Sequence, residues 1–195
     1  MSKLSFLICL LPILLLLPGK PARANERYTF DKEQTTISFS VSHFGFFEVE
    51  GEFADYDGDF VISAQHPERD AIAITLFPAS IHTTSQAMEK ELRGPDFFNV
   101  EQFSTVSFVS TAVESVDKND AKIMGNLTLL NVTRPVTFDA HFTDAALDPK
   151  NNDDAVGFSA SGVIKRSDFG MDAFVPVIGD EVHLHIEVSG LEKEN

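Results

Sequence analysis

Residues 125–142 read Gly-Asn-Leu-Thr-Leu-Leu-Asn-Val-Thr-Arg-Pro-Val-Thr-Phe-Asp-Ala-His-Phe. In the second half Val136, Phe138, Ala140 and Phe142 alternate with Thr137, Asp139 and His141. In the first half Leu127 and Leu129 alternate with Asn126 and Thr128. A period of two marks strands with one dry and one wet face, because successive side chains point to opposite sides. Asn131-Val-Thr-Arg-Pro135 separates the two runs. Asn tolerates a left-handed backbone and Pro fixes its own φ, so the chain is expected to reverse within this segment. The unit is a β-hairpin with one apolar face.

Most of the chain repeats that design. Ile37, Phe39 and Val41 alternate with serines, and His43 continues their face. Gly45, Gly51 and Asp57-Gly58 punctuate the next runs, in which Val49, Gly51 and Phe53 alternate. Phe60, Ile62, Ile72, Ile74 and Leu76 carry on, then Val106 and Phe108, then Phe158 to Ile164. The last run, Val182-His-Leu-His-Ile-Glu-Val188, alternates cleanly. A polar stretch with Pro149 and two Asn reads as a loop. Eight or nine short strands with no βαβ rhythm point to an all-β barrel or sandwich. One segment departs from the pattern. Residues 85–93 are strong helix formers, with Thr84 or Ser85 as the cap. Met88 and Leu92 share a face, Glu89 can pair with Arg93, and Gly94-Pro95 ends the helix.

Residues 1–24 read as a secretory leader. Lys3 precedes an apolar run from Leu4 to Leu17, and Ala22-Arg23-Ala24 is a small-residue cleavage site. The run is too short for a membrane span and Pro12 interrupts it, so no integral membrane segment is expected after cleavage. Residues 25–195 then form one domain with a sizeable core. Cys9, the only cysteine, leaves with the leader, so the mature chain has neither disulfide nor thiol nucleophile. Loss of Lys3, Lys20 and Arg23 takes the formal net charge from −15 to −18. So acidic a surface repels phosphate backbones and anionic lipid, which argues against nucleic acid as a partner. Phe is plentiful, with 18 in the whole chain, against two Tyr and no Trp. Phe brings apolar bulk with no polar tip to satisfy, and suits a large dry interior.

Gly125-Asn-Leu-Thr-Leu-Leu-Asn-Val-Thr133 resembles the Gly-x-Leu-Thr-x-x-Gly-Val-Thr signature of the YceI-like family of periplasmic polyisoprenoid-binding proteins, with Asn131 in place of the second Gly. Five further segments match in order. They are Ile37-Ser-Phe-Ser-Val-Ser-His43, Gly51-Glu-Phe53, Ala79-Ser-Ile-His-Thr83, Leu92-Arg93 with Asp96-Phe-Phe-Asn-Val100, and Arg166-Ser-Asp-Phe-Gly170. The resemblance spans essentially the whole mature chain. It implies an extended, lipocalin-like antiparallel barrel of eight strands with one short helical segment. It also implies a periplasmic protein, not an enzyme and without a cofactor. Such a protein binds, transports or sequesters an isoprenoid amphiphile, a polyprenyl phosphate or a quinone-like lipid, in an elongated apolar pocket. Oligomeric state is not encoded, and a homodimer stays open.

On this reading the inward residues Phe39, Val41, Phe53, Phe108, Phe138 and Phe158 line the pocket, and Phe97, Phe98 and Phe169 shape its mouth. His43 is either a hydrogen-bonded core histidine or a headgroup contact. Arg93 with Asp96, and Arg166 with Asp168, either pin loops as ion pairs or meet an anion at the mouth. Two other functions compete. His183 and His185 stand two apart on one strand face, as in a metal-dependent hydrolase, although Val182, Leu184, Ile186 and Val188 claim the interior and no third ligand is visible. A barrel with a packed interior and an acidic interaction face is the other.

Overall fold

The computed structural model describes residues 26–63, 69–143, 146–147 and 154–192. The expected leader and the centre of the expected polar loop lie outside them. Twelve strand segments and one α-helix follow in the order β1 (Glu26–Phe30), β2 (Thr36–His43), β3 (Phe47–Phe53), β4 (Tyr56–Ile62), β5 (Ala71–Leu76), β6 (Ile81–His82), α1 (Gln86–Arg93), β7 (Val106–Ser115), β8 (Asp120–Leu129), β9 (Val132–Phe142), β10 (Ala146–Leu147), β11 (Asp154–Lys165) and β12 (Ile178–Glu192).

Eight of these segments close a ring in the order β11-β9-β8-β7-β5-β4-β1-β12, with β12 returning to β11. Every pairing in the ring is antiparallel. Closure leaves no unpaired edge in the ring. Of the remaining four, β2, β3 and β6 prolong three ring members beyond local irregularities, and the short β10 pairs with β11. β12 pairs with β1 near its end and with β2 from Ile178 to Glu187, so β1 and β2 form one interrupted strand. β4 and β3 are joined in the same way, as are β5 and β6. The break between β1 and β2 is fastened to Ser189, whose carbonyl accepts from Asp31 N–H at 2.8 Å and from Thr35 Oγ1 at 3.0 Å. The barrel is therefore extended on one side, where among the described residues β6 has only β3 as a strand neighbour. Helix α1 covers that open side. Its Arg93 Nη2 donates to Ile81 O at 2.6 Å, and its Glu89 Oε1 accepts from Thr83 N–H at 3.1 Å.

The β8–β9 hairpin keeps the face expected of it, with Leu127, Leu129, Phe138 and Ala140 buried and Thr137, Asp139 and His141 exposed. Its reversal comes earlier than expected. Leu130 and Asn131 both hold positive φ, and Val132 to Pro135 already belong to β9. A two-residue loop with both positions left-handed matches the strand twist. Gly51 and Gly58 also differ from their reading as turn residues. They lie inside β3 and β4, opposite Phe39 and Ile74. A methyl group on Gly58 would stand 2.1 Å from Ala73 O, so glycine admits a neighbouring backbone there. The helix is as expected, with Ser85 as its cap and Glu89 paired to Arg93 at 3.3 Å.

Candidate ligand chamber

Two adjoining apolar spaces occupy the interior. The larger, about 550 Å³, lies in the extended half of the barrel. Its walls come from β2 and β3 (Phe39, Val41, Val49, Phe53), the start of β12 (Val182, Leu184), the facing ends of β7 and β8 (Val106, Leu127, Leu129) and helix α1 (Met88, Leu92). The smaller, about 90 Å³, runs into the closed ring between Phe108, Phe138, Phe158 and Ile186. Phe53, Leu76, Val106, Leu127 and Leu184 line both and stand between them. The interior is thus a chamber with a narrow inner extension, and the remainder of the ring is packed by Tyr28, Phe60 and Phe158.

Aromatic rings shape the wall. Phe98 stands edge-on to Phe53 at 5.7 Å and tilted against Phe39 at 6.4 Å. Phe108 and Phe138 meet edge to face at 5.3 Å in the inner extension. Such rings hold preferred offset or T-shaped geometries and define a firm surface.

The polar groups on the wall are few: His43, Ser85, Glu91 and Arg166. Arg166 is 3% exposed, and four of its five N–H donors are taken by backbone carbonyls. Nε–H donates to Gly179 O at 2.8 Å and Nη1 to Met171 O at 2.8 Å, while Nη2 donates to Ala173 O and Ile178 O, both at 2.9 Å. Burial pushes its guanidinium below the ordinary range, while Asp180 and Asp172 act to raise it. The expected pairing with Asp168 is replaced by this carbonyl cage, because the turn after β11 wraps its backbone round the guanidinium. Asp180 instead accepts from Ser167 N–H at 2.9 Å and from its hydroxyl at 2.8 Å. Those bonds, with Arg166 nearby, hold the Asp180 carboxyl below the usual carboxylate range.

The expected site residues divide into three groups. Phe39, Val41, His43, Phe53, Phe97, Phe98 and Arg166 line the chamber. Phe108, Phe138 and Phe158 line the inner extension. Arg93 and Phe169 line neither. Arg93 is held by Ile81 and Glu89 rather than Asp96, and Phe169, 2% exposed, is core. His43 is half-buried and stacks on Phe44 at 4.3 Å, so it stands at the rim and not in the core. His183 and His185 are exposed on the outer face, and His185 Nε2 faces Glu187 at 3.1 Å. Among the described residues no group of three His, Cys, Asp or Glu is arranged to hold a metal ion. Phe174, Val177 and Met171 also line the chamber, and sequence reasoning missed them. They lie in an irregular segment with no periodicity to reveal their facing.

A YceI-like domain model matches residues 28–190. The chain is 36% identical over 190 residues to a UPF0312 protein of Pectobacterium carotovorum, covering 96% of this chain and 97% of that protein. The crystal structure of a Campylobacter jejuni YceI protein superposes with a TM-score of 0.71 at 30% identity, covering 78% of this chain and 90% of that one. A polyisoprenoid binding domain from Saccharophagus degradans shares the fold, with a TM-score of 0.63 at 12% identity, over 85% of this chain and 98% of that domain.

Proposed function

The chain belongs to the YceI-like family, and on that premise we propose that it binds and carries or sequesters an isoprenoid amphiphile with an uncharged, quinone-like head. The observation that carries this reading is the wall chemistry of the chamber. About 550 Å³ of space is bounded almost wholly by Phe, Leu, Val, Ile and Met side chains and adjoins a second apolar space in the ring. Apolar burial there stabilises a bound chain by about 0.8 kcal/mol per methylene before ordering costs. The Saccharophagus neighbour, a polyisoprenoid binding domain, supports a lipid as the ligand class.

The charge on the wall argues for the uncharged head over a polyprenyl phosphate. Arg166 is the only Lys or Arg among the lining residues, and its donors are committed to four carbonyls. An anionic head would meet that occupied cation and the Glu91 carboxylate. A carbonyl or hydroxyl head needs only hydrogen bonds, which His43 and Ser85 offer on the wall. The apolar run and Ala22-Arg23-Ala24 cleavage site support delivery to the periplasm. The family and the apolar wall support reading the protein as a binder and not an enzyme.

Native mass spectrometry of protein purified from its own cell envelope, with solvent extraction, tests this reading. A discrete added mass that extracts as a neutral prenyl lipid is expected. An extracted prenyl phosphate would overturn the headgroup assignment. A bare protein that also takes up no added prenyl lipid would overturn the whole.

A further inference from the structure

Two loops meet at the outer end of the chamber, and both are apolar. The β2–β3 tip carries Phe44, Phe46 and Phe47, and the segment before β12 carries Phe174, Val175 and Val177. All six are exposed, Phe46 by 78%. The loops are tied together, since Phe44 N–H donates to Val177 O at 2.8 Å and His43 pairs with Ile178. Phe174 stacks on Phe97 at 6.1 Å, and Phe174, Val177 and Phe97 are all lining residues. Of the six exposed apolar residues, Phe174 and Val177 reach the chamber wall, and the Phe44–Val177 bond sets the Phe-rich tip beside them. Phe44 and Phe174 hold positive φ (55° and 62°), where a bulky side chain incurs a steric cost that Gly or Asn largely avoids. Backbone strain of this kind collects at functional sites, and exposed apolar patches mark interaction surfaces.

We propose that this rim docks on a lipid bilayer with zwitterionic headgroups, so that the ligand moves between bilayer and chamber without crossing water. The proposal rests on the reading of the chamber as a lipid site. Charge selects the occupant. Glu48, Asp172 and Glu181 are exposed near the six apolar residues, and the nearby Lys165 already stands opposite Glu181 in the β11–β12 ladder. Two copies apposed rim to rim would set these carboxylates against their own kind. An anionic bilayer meets the same repulsion, reinforced by a whole-chain formal charge of −15. A zwitterionic surface offers cationic groups to the carboxylates and hydrocarbon to the Phe rings, whose amphiphile-sized neighbour is the chamber itself.

Vesicle flotation of the mature chain and its Phe46→Ser/Phe47→Ser variant tests the proposal. Neither residue lines the chamber. The unaltered protein is expected to float with phosphatidylcholine vesicles, and the variant to lose at least tenfold in partitioning. Added phosphatidylglycerol should weaken flotation, and moderate salt should not. Uptake of a prenyl quinone dispersed from ethanol, without vesicles, should be equal in the two proteins. Equal flotation of both, or of neither, would overturn the docking surface. So would a variant that changes only self-association in sedimentation velocity, because a second copy would then be the occupant. Rim-dependent flotation with no quinone uptake by either protein would keep the docking surface and reject the lipid chamber. If the double variant melts early, the Phe46→Ser change alone gives the same readout at the most exposed ring.

Discussion

Gly51 lies directly opposite Phe39 across the β2–β3 ladder, and a methyl group on Gly51 would stand 2.4 Å from Phe39 Cζ. The tip of the ring lies over the glycine, and Phe39 lines the chamber. Gly51→Ala should turn that ring into the chamber. Overpacking of this kind costs about 1–3 kcal/mol, and here the ring can swing, so the lower end is expected. Loss of prenyl-lipid affinity should exceed the loss of stability, read by titration beside a thermal melt. Gly58→Ala, which meets the Ala73 carbonyl at 2.1 Å, should show the reverse because backbone cannot swing aside. Unchanged affinity in Gly51→Ala would show that the ring has another place to go.

Arg166 supports the loop that forms part of the chamber wall. Removing it strands the carbonyls of Gly179, Met171, Ala173 and Ile178. Arg166→Met should lower unfolding free energy by about 3–5 kcal/mol, the scale of a buried charge network losing one partner. Urea denaturation gives the value. A variant of normal stability that had lost only lipid binding would instead mark Arg166 as a headgroup ligand.

The side chains between the two spaces decide whether a bound chain reaches the inner one. Val106 lines both. Val106→Phe should close the inner extension and select shorter chains. Denying burial to two methylenes costs about 1.6 kcal/mol, more than tenfold in affinity. Competition between prenyl quinones of different length measures this, and an unaltered length preference would rule the extension out as part of the site.

Glu89 ties helix α1 to the strand it covers. Its Oε1 accepts from Thr83 N–H at 3.1 Å and faces His82 Nδ1 at 2.9 Å, while Oε2 meets Arg93 Nη2 at 3.3 Å. The Thr83 bond above all, aided by His82 and Arg93, holds the carboxyl below the usual Glu range. A carboxyl lower in the folded than in the unfolded state contributes stability above the unfolded value, near 4.3, and loses it as pH falls through the folded value. The stability difference between the unaltered protein and Glu89→Gln should be flat above about pH 5 and shrink below it. A difference independent of pH down to acid unfolding would contradict this.

Strand faces were legible because alternation is a local signal. Phe39, Phe53, Phe108, Phe138 and Phe158 point inward as their periodicity requires. The helix was legible for the same reason, since its Ser85 cap and Glu89–Arg93 pair lie within nine residues of each other. The family resemblance carried strand number and the kind of pocket, which periodicity alone left between barrel and sandwich. Arg166 shows where local signals stop. Its neighbour in sequence, Asp168, suggested an ion pair, but its donors reach residues 5 to 13 positions on along a segment with no repeat. Phe174 and Val177 were silent for the same reason.

The amino-acid order by itself determined which side chains face inward, where the helix starts and stops, and the acidic exterior, because each depends on near neighbours or on composition. Tertiary structure alone decided that the interior divides into a chamber and a narrow extension. That division follows from ladder register and strand interruptions, which set Phe39 over Gly51 and Phe108 beside Phe138. It also brought the rings at Phe44 and Phe174 to one rim, since residues far apart in sequence meet only when β2 and β12 pair.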